Sequence, residues 1–81
     1  MPEEYRIVTS KDELLNLIFD LLDENDAIKW ENDSAYAFLQ ALAAWLEDAD
    51  GFYANRKVEM DTRQPSWQLL ADMLQAARHY E

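Results

Sequence analysis

Phe38, Trp45 and Phe52 recur at intervals of seven residues. Seven residues make nearly two turns of an α-helix, so the three rings form one aromatic ridge. The stretch from Trp30 to Tyr53 keeps this phase. Ala35, Phe38, Leu39, Ala41, Leu42, Trp45, Leu46, Ala49, Phe52 and Tyr53 share the apolar side, while Gln40, Ala44, Glu47 and Gly51 lie opposite. The spacing predicts a central helix over residues 33–54, capped by Asn32, with Asp33 and Ser34 as weaker caps. Phe52 and Tyr53 stay in phase past Gly51, so the helix is expected to run through that glycine, at a cost of about 1 kcal/mol relative to alanine. The alternative is that Gly51 ends it.

A helix is expected on either side. Ser10-Lys11-Asp12-Glu13 fits a capping box, in which the serine hydroxyl takes the Glu13 amide and the Glu13 carboxylate returns to the Ser10 amide. The helix it opens, residues 10–25, carries Leu14, Leu15, Leu17, Ile18, Phe19, Leu21 and Leu22 over an arc of about 200°, wide enough for two neighbours. Its far end, Asp23-Glu24-Asn25-Asp26, sets acids against the negative pole of the helix dipole. That end either frays or takes a basic group from elsewhere. Arg56, Lys57 and Arg63, clustered in the loop over residues 54–64, are the expected source, and a small anion site is the alternative use of them. Pro65 suits the first turn of a third helix over residues 65–79. There Trp67, Leu69, Leu70, Met73, Leu74, Ala76, Ala77 and Tyr80 leave only a narrow polar strip of Gln68, Asp72, Gln75 and His79. A helix so apolar must pack on two sides, and a second copy of the chain is the candidate for one of them. Trp30 is expected to cover one end of the core.

At the amino-terminal end, Tyr5, Ile7 and Thr9 alternate as an extended segment does, with Val58 and Met60 as candidates for a minor β pairing. The fold class expected is mainly α: a compact three-helix domain with a short extended amino-terminal segment, one domain over residues 1–81.

The 81 residues include no cysteine, which excludes disulfides, thiolate metal sites and cysteine nucleophiles. Seventeen acids against seven bases give a net charge of −10, which repels nucleic acid and anionic lipid and attracts a basic partner. The hydrophobic share of 49% is too high for a disordered acidic tail. No uncharged apolar run reaches the roughly 18 residues of a membrane span. The acidic start, Met1-Pro2-Glu3-Glu4, does not resemble a secretory signal, so a cytoplasmic protein is expected.

Several blocks occur in order: Trp30-Glu31-Asn32, then Phe38 to Trp45, then Asp50-Gly51-Phe52-Tyr53-Ala54-Asn55, then Gln64-Pro65-Ser66-Trp67, then Ala76 to Glu81. This order resembles a family of small bacterial domains of unknown function marked by W-E-N, A-A-W, D-G-Y-Y and P-S-W blocks. The resemblance spans residues 5–81. Phe52 stands in the place of a tyrosine and Asp33 in that of a proline. It implies a single bacterial helical domain and brings no activity or catalytic residue with it.

Nearly all the carboxylates fall on polar faces. Asp50 is the exception, at the margin of the central helix's apolar arc between Leu39 and Ala43. A buried carboxylate there needs a hydrogen bond or a base, and Arg78 and Arg56 are the natural partners. The structural reading is an ion pair fixing one helix on another, and the functional reading is a binding site with Asp50, Arg56, Arg78 and Trp45. Asp48-Ala49-Asp50-Gly51 is not a calcium loop, because Leu46 and Lys57 occupy the first and last ligand positions. His79 is the sole histidine and stands on the polar strip, so no metal or cofactor is expected.

The function expected is a non-enzymatic, acidic protein-interaction domain, immunity-like or regulatory in kind. Asp12, Glu13, Asp20, Asp23, Glu24 and Asp26 of the first helix would meet a basic protein partner. The alternatives are a self-associating module (a homodimer through the third helix and the aromatic ridge), or a small-ligand binder or enzyme around Asp50.

Overall fold

The computed structural model describes residues 6–27 and 30–80, the side chains of 25–27 excepted. Four helices are present among them: α1 over Lys11–Ala27, α2 over Ala35–Glu47, α3 over Ala49–Asn55 and α4 over Trp67–Ala77. The protein is mainly helical, as expected, but the expected central helix is two. Asp48 leaves helical geometry at φ −97° and ψ 4°. Its amide is shared between the carbonyls of Ala44 and Trp45, at 3.3 and 3.0 Å, and its carboxylate accepts from the Tyr80 hydroxyl at 2.5 Å. One displaced residue leaves the aromatic phase intact, so Trp45 and Phe52 still meet edge to face with centroids 5.2 Å apart. Phe38 leaves the ridge and stacks on Trp30 at 5.9 Å.

Gly51 lies inside α3 as expected, exposed, with ordinary helical backbone. The chain stops helically at Lys57, which adopts φ 59°. Here the Val58 amide donates to the Tyr53 carbonyl and the Lys57 amide to that of Ala54, the paired bonds of a Schellman ending.

α4 is the wall between two apolar clusters, and so takes the central place expected of residues 33–54. On one side Leu69 and Ala76 join Trp45, Ala49 and Tyr53, with Phe52, Met60, Met73 and Tyr80 around them. On the other, Ala71 joins Val8, Leu17 and Leu21, with Leu14, Trp30 and Leu74 around them. Two sides of this apolar helix are therefore filled within one chain, while its Trp67 and Leu70 remain 42% and 40% exposed. Ala71, Ala76 and Ala77 have small side chains, which let neighbouring backbones come close.

The helix ends follow short-range chemistry. The Ser10 hydroxyl accepts from the Glu13 amide at 3.2 Å, but the Glu13 carboxylate reaches one residue further back than expected, to the amide and hydroxyl of Thr9 at 2.7 and 3.0 Å. Those bonds hold the Glu13 carboxyl below its usual pKa. Ser66 caps α4 by accepting from Leu69, so Pro65 precedes the helix instead of entering it. Ser34, not Asn32, caps α2. Asn32 serves the opposite end of a different helix. Its amide nitrogen donates to the carbonyls of Ala77 and Tyr80 at 3.0 and 2.9 Å, and its backbone amide donates to that of Arg78. These carbonyls lie where a helix runs out of internal donors.

Residues 6–9 form an extended arm, but no strand occurs among the described residues, and the expected pairing with Val58 and Met60 is absent there. The arm's partner is a side chain. The Gln68 amide accepts from the Val8 amide at 2.7 Å and donates to the Arg6 carbonyl at 2.8 Å, as a neighbouring strand would. Tyr5 lies outside the described residues.

Two substitutions test this layout by chemical denaturation. Asn32→Asp turns a donor into a charged acceptor facing two carbonyls and is expected to destabilise the domain by about 2–3 kcal/mol. At an amino-terminal cap the same change would be neutral. Gly51→Ala meets no atom within 4 Å of the new carbon and is expected to stabilise the domain by about 0.5–1 kcal/mol.

Candidate functional site

The residues singled out from the sequence do not converge. Asp50 is exposed and accepts from the Thr62 hydroxyl at 2.7 Å, so the expected buried ion pair with Arg78 is not formed. Arg56 lies over the Phe52 ring, 4.5 Å from its centroid. Arg78 binds the Glu24 carboxylate, and its Nε donates to the Gln75 carbonyl at 2.8 Å. Glu24 also accepts from the Trp30 indole nitrogen at 3.1 Å. The acidic end of α1 thus does take a basic group from elsewhere, but Arg78, at the carboxyl cap of α4, supplies it to Glu24, not the loop cluster. Trp45 is buried core. His79 stands exposed, its Nδ1 3.9 Å from Glu31. Among the described residues no three acidic or histidine side chains gather as a metal set, and no helix is long and apolar enough to cross a membrane.

Among the described residues the buried carboxylate is Asp72, at 4% exposure, on the narrow polar strip of α4. One oxygen accepts from the Tyr53 hydroxyl at 2.5 Å and the other from the Gln68 amide at 3.0 Å. Burial raises its pKa above the usual 3.8, against the opposing pull of the Tyr53 and Gln68 bonds and of the Arg56 charge. Gln75 is buried beside it, donating to the Ala71 carbonyl and accepting from the Arg6 amide at 3.3 Å. A cavity of about 300 Å³ opens against Asp72, Tyr53 and Gln68, with Ile7, Phe52, Arg56, Val58 and Met60 as its other walls. Both Asp72 oxygens already serve α3 and α4, so the group acts first as a clasp. The sequence signal for it was Gln68 and Asp72 four residues apart on a helix otherwise apolar, which puts the pair within mutual reach.

The outer faces differ in kind. On α1, Leu14, Leu17 and Leu21 turn inward, while Leu15, Phe19 and Leu22 remain 43%, 56% and 57% exposed. Their spacing of four and three residues makes one continuous apolar stripe. Asp12, Asn16 and Asp23, all exposed, line its edge beside Phe19. Asp20 turns away to pair with Arg6 at 2.8 Å. On α2, Tyr36, Leu39, Ala43 and Leu46 form a second exposed stripe, and Glu47 is the helix's one charged side chain.

Residues 10–81 match the Family of unknown function (DUF7660). The chain belongs to DUF7660. No curated protein and no solved structure matches it. The DUF7660 match takes in all four helices, the Asp72 clasp and both exposed stripes. The arm that Gln68 holds lies just before it.

The clasp of this DUF7660 domain has a pH signature. Because its carboxyl titrates high, the stability carried by Asp72 is complete below pH 3.8 and declines as pH rises through the raised value. Carboxyl NMR should place the Asp72 midpoint above 3.8, and Tyr53→Phe should raise it further by removing a bond that favours the charged form.

Proposed function

We propose that the protein is a non-enzymatic, acidic interaction domain whose α1 docks a basic amphipathic helix of a protein partner. The observation that carries this reading is the exposed stripe of Leu15, Phe19 and Leu22 bordered by Asp12 and Asp23. Large apolar side chains left in water at helical spacing are anchors of the kind that helix-in-groove recognition uses. The acids beside them select positive charge on the partner, and the net charge of −10 speeds its approach.

The acidic face expected from the sequence narrows to this border. Glu13 is engaged with Thr9, Asp20 with Arg6 and Glu24 with Arg78. The Asp26 side chain lies outside the described residues. Asp12 and Asp23 are the members that stand exposed beside the stripe. An immunity-like or regulatory role, in which such a domain masks a basic protein, is the form of this function that its size and charge favour.

The test is a titration with a synthetic amphipathic helix bearing a leucine seam flanked by lysines. Binding should shift the NMR signals of Leu15, Phe19 and Leu22. Phe19→Ala should weaken it about tenfold or more, as loss of a central aromatic anchor does. Asp23→Lys should slow association and flatten its salt dependence. Saturable binding that leaves the α1 signals unmoved, or no binding at low salt, would overturn the proposal.

A further inference from the structure

The exposed stripe on α2 is self-complementary, and we infer that two copies of the chain pair through it, antiparallel, about a two-fold axis beside residue 41. Tyr36, Leu39, Ala43 and Leu46 follow alternating steps of three, four and three residues. That is the seam of a helix pair that packs along its length. Tyr36 and Leu39 are 74% and 63% exposed, so this seam is uncovered in the single chain.

An isologous contact requires one patch to match itself after rotation. The stripe meets that condition in its order of side-chain sizes. Antiparallel pairing about residue 41 sets Leu39 of each copy against Ala43 of the other, a large side chain into the gap over a small one. It sets Tyr36 against Leu46, apolar on apolar. Glu47, the one charge on α2, meets Ala35, so no like charges are opposed across the seam.

Charge decides the occupant. Each copy carries −10, so two copies repel over most of their surfaces. From Ala35 to Leu46 the helix has no charged side chain. A basic partner finds nothing there to select it, whereas a second acidic copy finds the face where its own repulsion is least. The buried side of α2, with Ala41 and Trp45, stays committed to the domain core. Pairing therefore needs no rearrangement, and it leaves the stripe on α1 outside the seam.

Sedimentation and light scattering at high micromolar concentration, in moderate salt, test the inference on the full chain. The wild-type protein should show twice the monomer mass of 9.5 kDa. Leu39→Glu and Ala43→Lys, each at an exposed site and each checked for helicity by circular dichroism, should both run as monomers. Mixing those two variants should restore a dimer, because positions 39 and 43 face one another across the seam. Phe19→Glu on α1 should leave the mass doubled. A wild-type monomer at every concentration overturns the inference. So does a dimer that survives Leu39→Glu, or one that the mixture fails to restore.

Discussion

The polar edge of α4 is the constraint on which the domain rests. α4 is enclosed from two sides, yet Gln68, Asp72 and Gln75 bring amides and a carboxylate into that enclosure. Buried groups of this kind are tolerated only when their hydrogen bonds are complete. Here Tyr53 arrives from α3 and the arm backbone from the amino-terminal end, and no buried side-chain nitrogen or oxygen among the described residues is left unpaired. The polar edge therefore does what apolar packing alone does not: it selects which residue of each neighbour lies opposite which turn of α4. Apolar contact tolerates sliding, whereas a carboxylate with two dedicated donors does not.

The same economy operates at the carboxyl end of α4. Asn32 and Arg78 tie the α1–α2 connection to the last turn, and Glu24 gathers both Trp30 and Arg78. The acids that end α1 would repel one another and the helix dipole if left alone. One of them instead becomes the centre of a junction between α1, the connector and α4. The molecule thus sorts its charge: some carboxylates are consumed as internal acceptors, some remain as an outer border on α1, and α2 is kept almost free of them.

Much of the architecture was legible in the chain. Helical periodicity located α1, the α2–α3 pair and α4, and the doubly apolar character of residues 65–79 demanded two neighbours. Other features were illegible for identifiable reasons. A single residue out of register at Asp48 leaves Trp45 and Phe52 in contact, so period alone cannot reveal the break. Asn32 carries both donors and an acceptor, and only its surroundings decide which helix end it serves. Arg78, not the loop cluster, reaches Glu24, because pairing across 54 residues depends on how α4 is placed. Asp72 fell on a polar strip, and a strip is solvated only if nothing covers it. Here the arm does, through a glutamine standing in for a strand. The outward stripe on α1 was half visible: its wide apolar arc suggested two neighbours, and among the described residues Leu14, Leu17 and Leu21 join a core cluster while Leu15, Phe19 and Leu22 stay exposed.

The position of α4 in the chain has a consequence for synthesis. Both clusters need α4, and among the described residues α1 and α2 do not pack on each other. As the polypeptide emerges from the ribosome, α1, α2 and α3 are all exposed before the wall that organises them has been made. Neither cluster can close until about residue 77 has cleared the exit tunnel. Folding is then a late, concerted event rather than a progressive one, and the apolar faces of α1, α2 and α3 stay uncovered until it happens.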